Sequence, residues 1–185
     1  MDFGRSADSR KKPVVLIGGQ GSLNTIALSN RHVKVVKLLL ENRADMTVAN
    51  NTGWTPLNSA SSNGHIEVVK LLLENRADIT VVNNVQGWTP LNLASSNRHI
   101  EIVKLLLENR ANLVVIDNKG WTLLISASSN RHVEVIKLLL ESRADVMVVS
   151  KDRYTPLNSV SNKGYTEVVK MLLEKGADMM ATKRG

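Results

Sequence analysis

The sequence predicts an all-α-dominated repeat solenoid, and three observations predict it. A lysine precedes each leucine run, at Lys37, Lys70, Lys104, Lys137 and Lys170, with spacings of 33, 34, 33 and 33 residues. The stretch from Gly53-Trp54-Thr55-Pro56-Leu57-Asn58 through His65 to Ala77-Asp78 recurs from Gly87 to Asn112, from Gly120 to Asp145 and from Tyr154 to Asp178, with a partial copy from His32 to Asp45. Within each copy the apolar residues return at three- and four-residue steps, the period of a helix buried on one face. Self-similarity at such a period means stacked supersecondary units, each touching only its neighbours.

Met1 to Pro13 is polar and has the composition of a flexible tail. Val14 to Ile17 reads as a short strand or an apolar strip. The Gly18-Gly19-Gln20-Gly21-Ser22 run that follows lacks the Gly-Lys-Ser/Thr ending of a phosphate loop and the third glycine of a dinucleotide loop. It is read as a lead-in. The domain plan is a flexible lead over 1–19 and one repeat array over 20–185, in units of about 20–50, 51–83, 84–117, 118–150 and 151–185. The first unit is irregular from Leu23, as terminal units often are.

From Asn50 onward each unit has the same plan. Thr55-Pro56, Thr89-Pro90 and Thr155-Pro156 place a helix N-cap and a proline at the first turn. The first helix of that unit is expected to run to about Asn63, and a second to start near His65 with Ile66, Val69, Leu72 and Leu73 on its buried face. Glu67 and Lys70, three apart, form a solvated pair that recurs as Glu101/Lys104, Glu134/Lys137 and Glu167/Lys170. An extended, β-branched stretch, Ile79 to Val82, then leads to a turn at Asn83-Asn84. One residue inserted before Trp88 accounts for the single spacing of 34.

With 43% hydrophobic residues but six aromatic ones, the core must be built from Leu, Val, Ile and Ala. The formal charge of +7 bears on association rather than fold. Cysteine is absent, which excludes disulfides and thiolate metal sites. No apolar run is long enough for a transmembrane helix, and none near the start has the length of a signal-peptide core. The expected setting is intracellular, cytoplasmic or nuclear.

The unit Gly-x-Thr-Pro-Leu-x-x-Ala-x-x-x-x-His-x-x-Val-Val-x-Leu-Leu-Leu-x-x-x-Ala-Asp resembles the ankyrin repeat, over about Ser22 to Thr182. The wording of the copies is similar to the arrays of fungal multidomain ankyrin proteins. The resemblance implies five helix-turn-helix units joined by β-hairpin loops, with hairpins and first helices lining a concave face that binds other proteins without catalysis. Three departures stand out. Asn58, Asn92 and Asn158 replace the family's His, and a substituted link to the hairpin is expected, since Asn both donates and accepts. The fourth unit, Thr122-Leu123-Leu124-Ile125, loses both the proline and the polar residue, so its first helix should be the least well anchored. Finally, arginine replaces most of the glycines that end helices: Arg31, Arg98 and Arg131 after first helices, and Arg43, Arg76, Arg110 and Arg143 after second ones. A left-handed residue with a Cβ costs about 1–2 kcal/mol, while a cation at a helix C-terminus returns about 0.3–1 kcal/mol.

Trp54, Trp88, Trp121 and Tyr154 share one position in four units and are four of the six aromatic residues. They are expected to form an aromatic ladder that anchors a partner or stiffens the stack. Hairpin-tip residues Asn51, Thr52, Asn84, Gln86, Lys119 and Arg153 should flank it. Ser62/Asn63, Ser96/Asn97 and Ser129/Asn130 should form the groove floor.

The four histidines, His32, His65, His99 and His132, also share one position. Helices stacked about 8–10 Å apart cannot bring them to the roughly 2.0–2.1 Å a zinc ion needs, so they are read as packed at the inter-helix turn. The arginine rows invite an anion-tracking reading. Glu41, Glu74, Glu108, Glu141 and Glu174, each two residues before an arginine or glycine, oppose it by neutralising the row, and solvated helix ends are preferred.

The expected function is therefore a non-catalytic scaffold for a protein partner, with no cofactor, no metal, no specific nucleic acid and no membrane insertion. The alternatives are a structural spacer from a larger multidomain protein and an anion- or nucleic-acid-binding array. Val168 to Leu173 keeps the internal apolar pattern, and Met179-Met180-Ala181 adds to it. The C-terminal unit is therefore expected to be uncapped, and either to fray or to self-associate.

Overall fold

The computed structural model describes residues 32–178. The lead, the first helix of the first unit, Arg31 and Met179-Met180-Ala181 lie outside the described residues. Within them, helices fall into two rows. First helices are α2 (Pro56–Asn63), α4 (Pro90–Ser96), α6 (Leu123–Ser129) and α8 (Pro156–Ser161). Second helices are α1 (Val33–Glu41), α3 (Ile66–Glu74), α5 (Ile100–Glu108), α7 (Val133–Glu141) and α9 (Thr166–Glu174). Each first helix packs on the second helix of its own unit, and each row packs along itself from unit to unit.

The core follows from that sandwich. A second helix meets its own first helix on one side and its counterparts in neighbouring units on two others, so its buried stripe is wide. Val68, Val69 and Leu72 are fully buried, as are their counterparts Ile102, Val103 and Leu106. Ile66 and Leu73, expected on the buried face, are half-buried and lie at its margins.

The N-caps form as the sequence requires. Asn58 N donates to Thr55 Oγ1 at 3.3 Å and Thr55 N donates to Asn58 Oδ1 at 3.0 Å, a reciprocal box that recurs at Thr89/Asn92 and Thr155/Asn158. Each such cap contributes about 1 kcal/mol. The substituted link to the hairpin is present in two units, through Asn58 Nδ2 to Val81 O at 3.3 Å and Asn158 Nδ2 to Arg153 O at 3.2 Å. In the fourth unit only Ile125 N to Thr122 Oγ1 remains, at 3.5 Å, and the Ile125 side chain is buried instead. Apolar packing has replaced the polar tie there.

The expected β-hairpin loops have the path of hairpins without the ladders: among the described residues the one β-bridge is Ile116 to Thr122. Each loop closes at its base by a backbone bond to the aromatic residue, as in Asn50 N to Trp54 O (3.0 Å) and Ser150 N to Tyr154 O (2.8 Å). Successive tips are joined by Asn84 N to Thr52 O and Asn118 N to Gln86 O, both 2.9 Å.

The turn residues behave as their glycine-like placement implies. Arg43, Arg76, Arg98, Arg110, Arg131 and Arg143 all have φ between 55° and 64°, left-handed as expected. Arg153 joins them at 62°, in the hairpin position held by Gly53, Gly87 and Gly120 in the preceding units. Among the described residues every arginine and every glycine has positive φ, and no other residue type does.

Candidate functional site

The aromatic position is held from within each hairpin. In three loops an Asn or Asp side chain accepts the backbone N–H of the tryptophan that follows: Trp54 N to Asn50 Oδ1 (3.0 Å), Trp88 N to Asn83 Oδ1 (3.4 Å) and Trp121 N to Asp117 Oδ1 (2.9 Å). In the last loop Tyr154 N donates to Ser150 Oγ at 2.9 Å. These short polar side chains offer the turn an acceptor the backbone cannot supply.

The rings then diverge in what they touch. Trp88 sends its Nε1 proton to Asp117 Oδ2 of the next hairpin, at 3.3 Å. The Trp121 and Tyr154 rings meet with centroids 5.7 Å apart, tilted by 47°. All three tryptophans are half-buried, and Tyr154 is 41% exposed. So at Trp88 and Trp121 the ring ties one hairpin to the next.

A cleft of about 250 Å³ opens between the third and fourth units, and it brings together five of the expected site residues: Trp88, Ser96, Lys119, Trp121 and Asn130. Leu123 and Ala127 add apolar wall, and Asn92, Ser95, Asp117 and His132 add polar atoms. Other expected residues lie outside it. Asn97 Nδ2 reaches Ser62 Oγ of the previous unit at 3.2 Å, tying two groove-floor positions to each other. Asn63 Nδ2 turns back onto Ser59 O at 2.8 Å, and Ser129 O receives Lys163 Nζ at 2.6 Å. Thr52 bonds to Asn50 Oδ1 through both its N–H and its hydroxyl, while Asn51 and Asn84 are exposed on the tips. Gln86 has a buried Oε1 without a hydrogen-bond partner.

Asp117 and Ser95 are cleft residues that sequence reasoning passed over, and His132, read there only as packed at its inter-helix turn, also lines the cleft. The signal for Asp117 was available: it is a carboxylate where Asn50, Asn83 and Ser150 stand in the other units. Ser95 belongs to a column with Ser61 and Ser128, all buried, whose hydroxyls lack partners.

His99 and His132 pack at their inter-helix turns and face backwards along the array, while His32 is exposed. His99 Nε2 donates to Ser62 O and His132 Nδ1 donates to Ser95 O, both at 3.0 Å. Burial, and then the Arg98 charge, lower the pKa of His132 below its ordinary 6.5, against the opposing pull of the Ser95 carbonyl. Arg131 lies over the Tyr165 ring, 5.2 Å from its centroid, in the place where the next histidine would be. Among the described residues, no group of His, Asp or Glu side chains could hold a metal ion, and no helix is long and apolar enough to cross a membrane.

The family model described as ankyrin repeats (3 copies) matches residues 11–83, 80–150 and 114–183. A search of curated proteins finds no match to the chain. With matches running from residue 11 to 183, on units whose helices, caps and hairpin turns repeat in register, the chain belongs to the ankyrin repeat family.

Proposed function

We propose that this protein is a non-catalytic scaffold that binds a protein partner along the face formed by its hairpins and first helices. Ankyrin repeats generally mediate protein–protein interaction, and proteins of the family are typically non-catalytic. The observation that carries the choice of face is the cleft at Trp88 and Trp121, where two half-buried indoles stand beside Lys119, Ser96 and Asn130. Large, rigid aromatic groups set among hydrogen-bonding side chains are what binding hot spots are made of. Trp54 and Tyr154 extend the surface to either side, with the tip residues Asn51, Thr52, Asn84, Gln86 and Arg153 along its rim. Ankyrin repeat proteins are commonly intracellular, and on that ground we place this one in the cytoplasm or nucleus.

Partner capture by the intact chain, compared with a Trp54→Ala/Trp88→Ala/Trp121→Ala variant, tests the reading. Capture should be lost in the variant while the far-ultraviolet circular dichroism stays helical. Lys70→Glu and Lys104→Glu, on the exposed side of the second helices, should leave capture intact. Undiminished capture by a folded triple variant would refute the choice of face. Unfolding of that variant would show that the rings act structurally and remove their role as anchors.

A further inference from the structure

We propose that the cleft between the third and fourth units receives a cationic side chain of the partner, an arginine set between acidic residues. The proposal rests on the reading of this face as the binding face. Its central observation is a charge that the fold does not need. Asp117 is only 8% exposed. Its Oδ1 accepts the backbone N–H groups of Lys119 and Trp121, both at 2.9 Å, and its Oδ2 accepts the Trp88 indole N–H at 3.3 Å. The turn itself asks only for an acceptor: the amide oxygens of Asn50 and Asn83 and the hydroxyl of Ser150 do the same work in the other three loops. The negative charge at Asp117 is therefore surplus to the hairpin, and it sits in the one hairpin whose acceptor lines the cleft with two tryptophans.

No ion pair engages this carboxylate among the described residues. An ionised carboxylate offers about four lone-pair directions, and three N–H groups occupy them incompletely. A second observation is independent of the first. Ser95, 1% exposed, is among the residues lining the same cleft, and its buried hydroxyl, like those of Ser61 and Ser128, has no hydrogen-bond partner. The cleft thus combines apolar indole walls, a carboxylate without a counter-ion and an unused hydroxyl.

A cation answers both the indole walls and the unpaired carboxylate. Indole faces attract cations through their quadrupoles, most strongly where water is excluded. Of the two cationic side chains, a guanidinium suits the cleft better, because it is flat, weakly hydrated and carries several donors. The surroundings set the flanks. Lys119, Lys151 and Arg153 stand exposed on the tips of this hairpin and the next, with Asp152 the one acid among them. That rim repels a polybasic segment and favours carboxylates on either side of the inserted arginine.

The test uses the full chain and two synthetic peptides, acetyl-Glu-Asp-Arg-Asp-Glu-amide and its citrulline counterpart, which keeps the shape of arginine and removes its charge. The three tryptophan indole N–H resonances of nitrogen-15-labelled protein report binding. The arginine peptide should shift the Trp88 and Trp121 resonances saturably, with the citrulline peptide weaker by about tenfold or more. Asp117→Asn keeps the turn acceptor that Asn50 and Asn83 already provide, and should weaken the arginine peptide by a similar factor. Equal affinity for the two peptides, an unchanged affinity in a folded Asp117→Asn protein, or no saturable shift with the arginine peptide would each overturn the proposal. Should Asp117→Asn fail to fold, the two peptides on the unaltered protein decide the matter alone. If partner capture depends on the tryptophans but not on the charge of Asp117, the cation proposal falls and the binding face stands. If capture is independent of the tryptophans, the face itself falls.

Discussion

The imidazole of His99 lies against the α-carbon of Gly64, one unit earlier. A β-carbon built on Gly64 would stand 2.7 Å from His99 Cε1 and 2.8 Å from Nδ1, while Nε2 of the same ring donates to Ser62 O at 3.0 Å. Gly64 also has φ of 77°. Gly64→Ala should therefore lower stability twice over, through the left-handed backbone and through displacement of the ring. We expect a loss of about 2–3 kcal/mol, the steric cost of the conformation plus that of a forced contact. Urea melts measure it, and a change under about 0.5 kcal/mol would show that the ring moves aside freely.

At Arg76 and Arg110 the reverse substitution should help. Their φ values are 64° and 62°, and neither side chain forms an ion pair or hydrogen bond among the described residues. Arg76→Gly and Arg110→Gly each remove the strain of a Cβ in this region. Glycine raises the entropy of the unfolded chain and forfeits the helix-end charge, so the expected net gain is about 0.5 kcal/mol per site. A clear loss in either single variant would contradict the account.

The buried hydroxyls of Ser61 and Ser128 have no partner and sit inside helices, where alanine is the better helix former. Ser61→Ala and Ser128→Ala should each raise stability by about 1 kcal/mol, the cost of desolvating an unpaired hydroxyl. A decrease would reveal a hydrogen bond to a buried water.

His132 gives the array a dependence on acid. Its folded pKa is lowered, chiefly by burial and then by Arg98. A group of this kind supports the folded state fully above its unfolded value of 6.5, and that contribution is lost as pH falls through the folded value. Urea midpoints should therefore decline as the pH falls below 6.5, and His132→Gln should flatten the decline. Asp45 and Asp78 have lowered values through their bonds to Thr47 and Thr80, and their support is lost only as pH falls below 3.8. An unchanged pH profile in His132→Gln would remove the histidine from the account.

The fifth unit presents a less covered outer face. Leu173 is 42% exposed where Leu73 is half-buried, and nothing among the described residues lies within 4 Å of a β-carbon at Gly164 or Gly176. Backbone amides of Val168 to Leu173 should exchange with solvent faster than those of Val68 to Leu73, and protection that rises with protein concentration would indicate self-association through this face. Equal, concentration-independent protection would mean that the end is capped.

What the sequence made legible is what the repeat enforces in every copy. The Thr-Pro start and the apolar stripe depend on local chemistry, so periodicity and cap residues suffice to place them, and the left-handed arginines were placed by the resemblance, where they stand for the family's glycines. The Asn58 link to Val81, 23 residues away, was expected only from the resemblance, because Asn58 stands where the ankyrin unit has His. Contacts that depend on which residue a neighbouring unit happens to carry were not legible. The Trp88–Asp117 bond spans 29 residues, and no single unit contains it.

The pairing of strain with arginine has a consequence in solution. Among the described residues seven arginines occupy left-handed turn positions, and the formal net charge of the whole chain is +7. Glycine at all seven would relax the turns and leave a protein of formal charge zero near pH 7, the condition under which colloidal repulsion vanishes and precipitation is favoured. The residues that cost the fold its backbone comfort are the same ones that keep separate molecules apart. A glycine series should therefore trade higher melting points for lower solubility, with salt, which screens the repulsion, erasing the solubility difference.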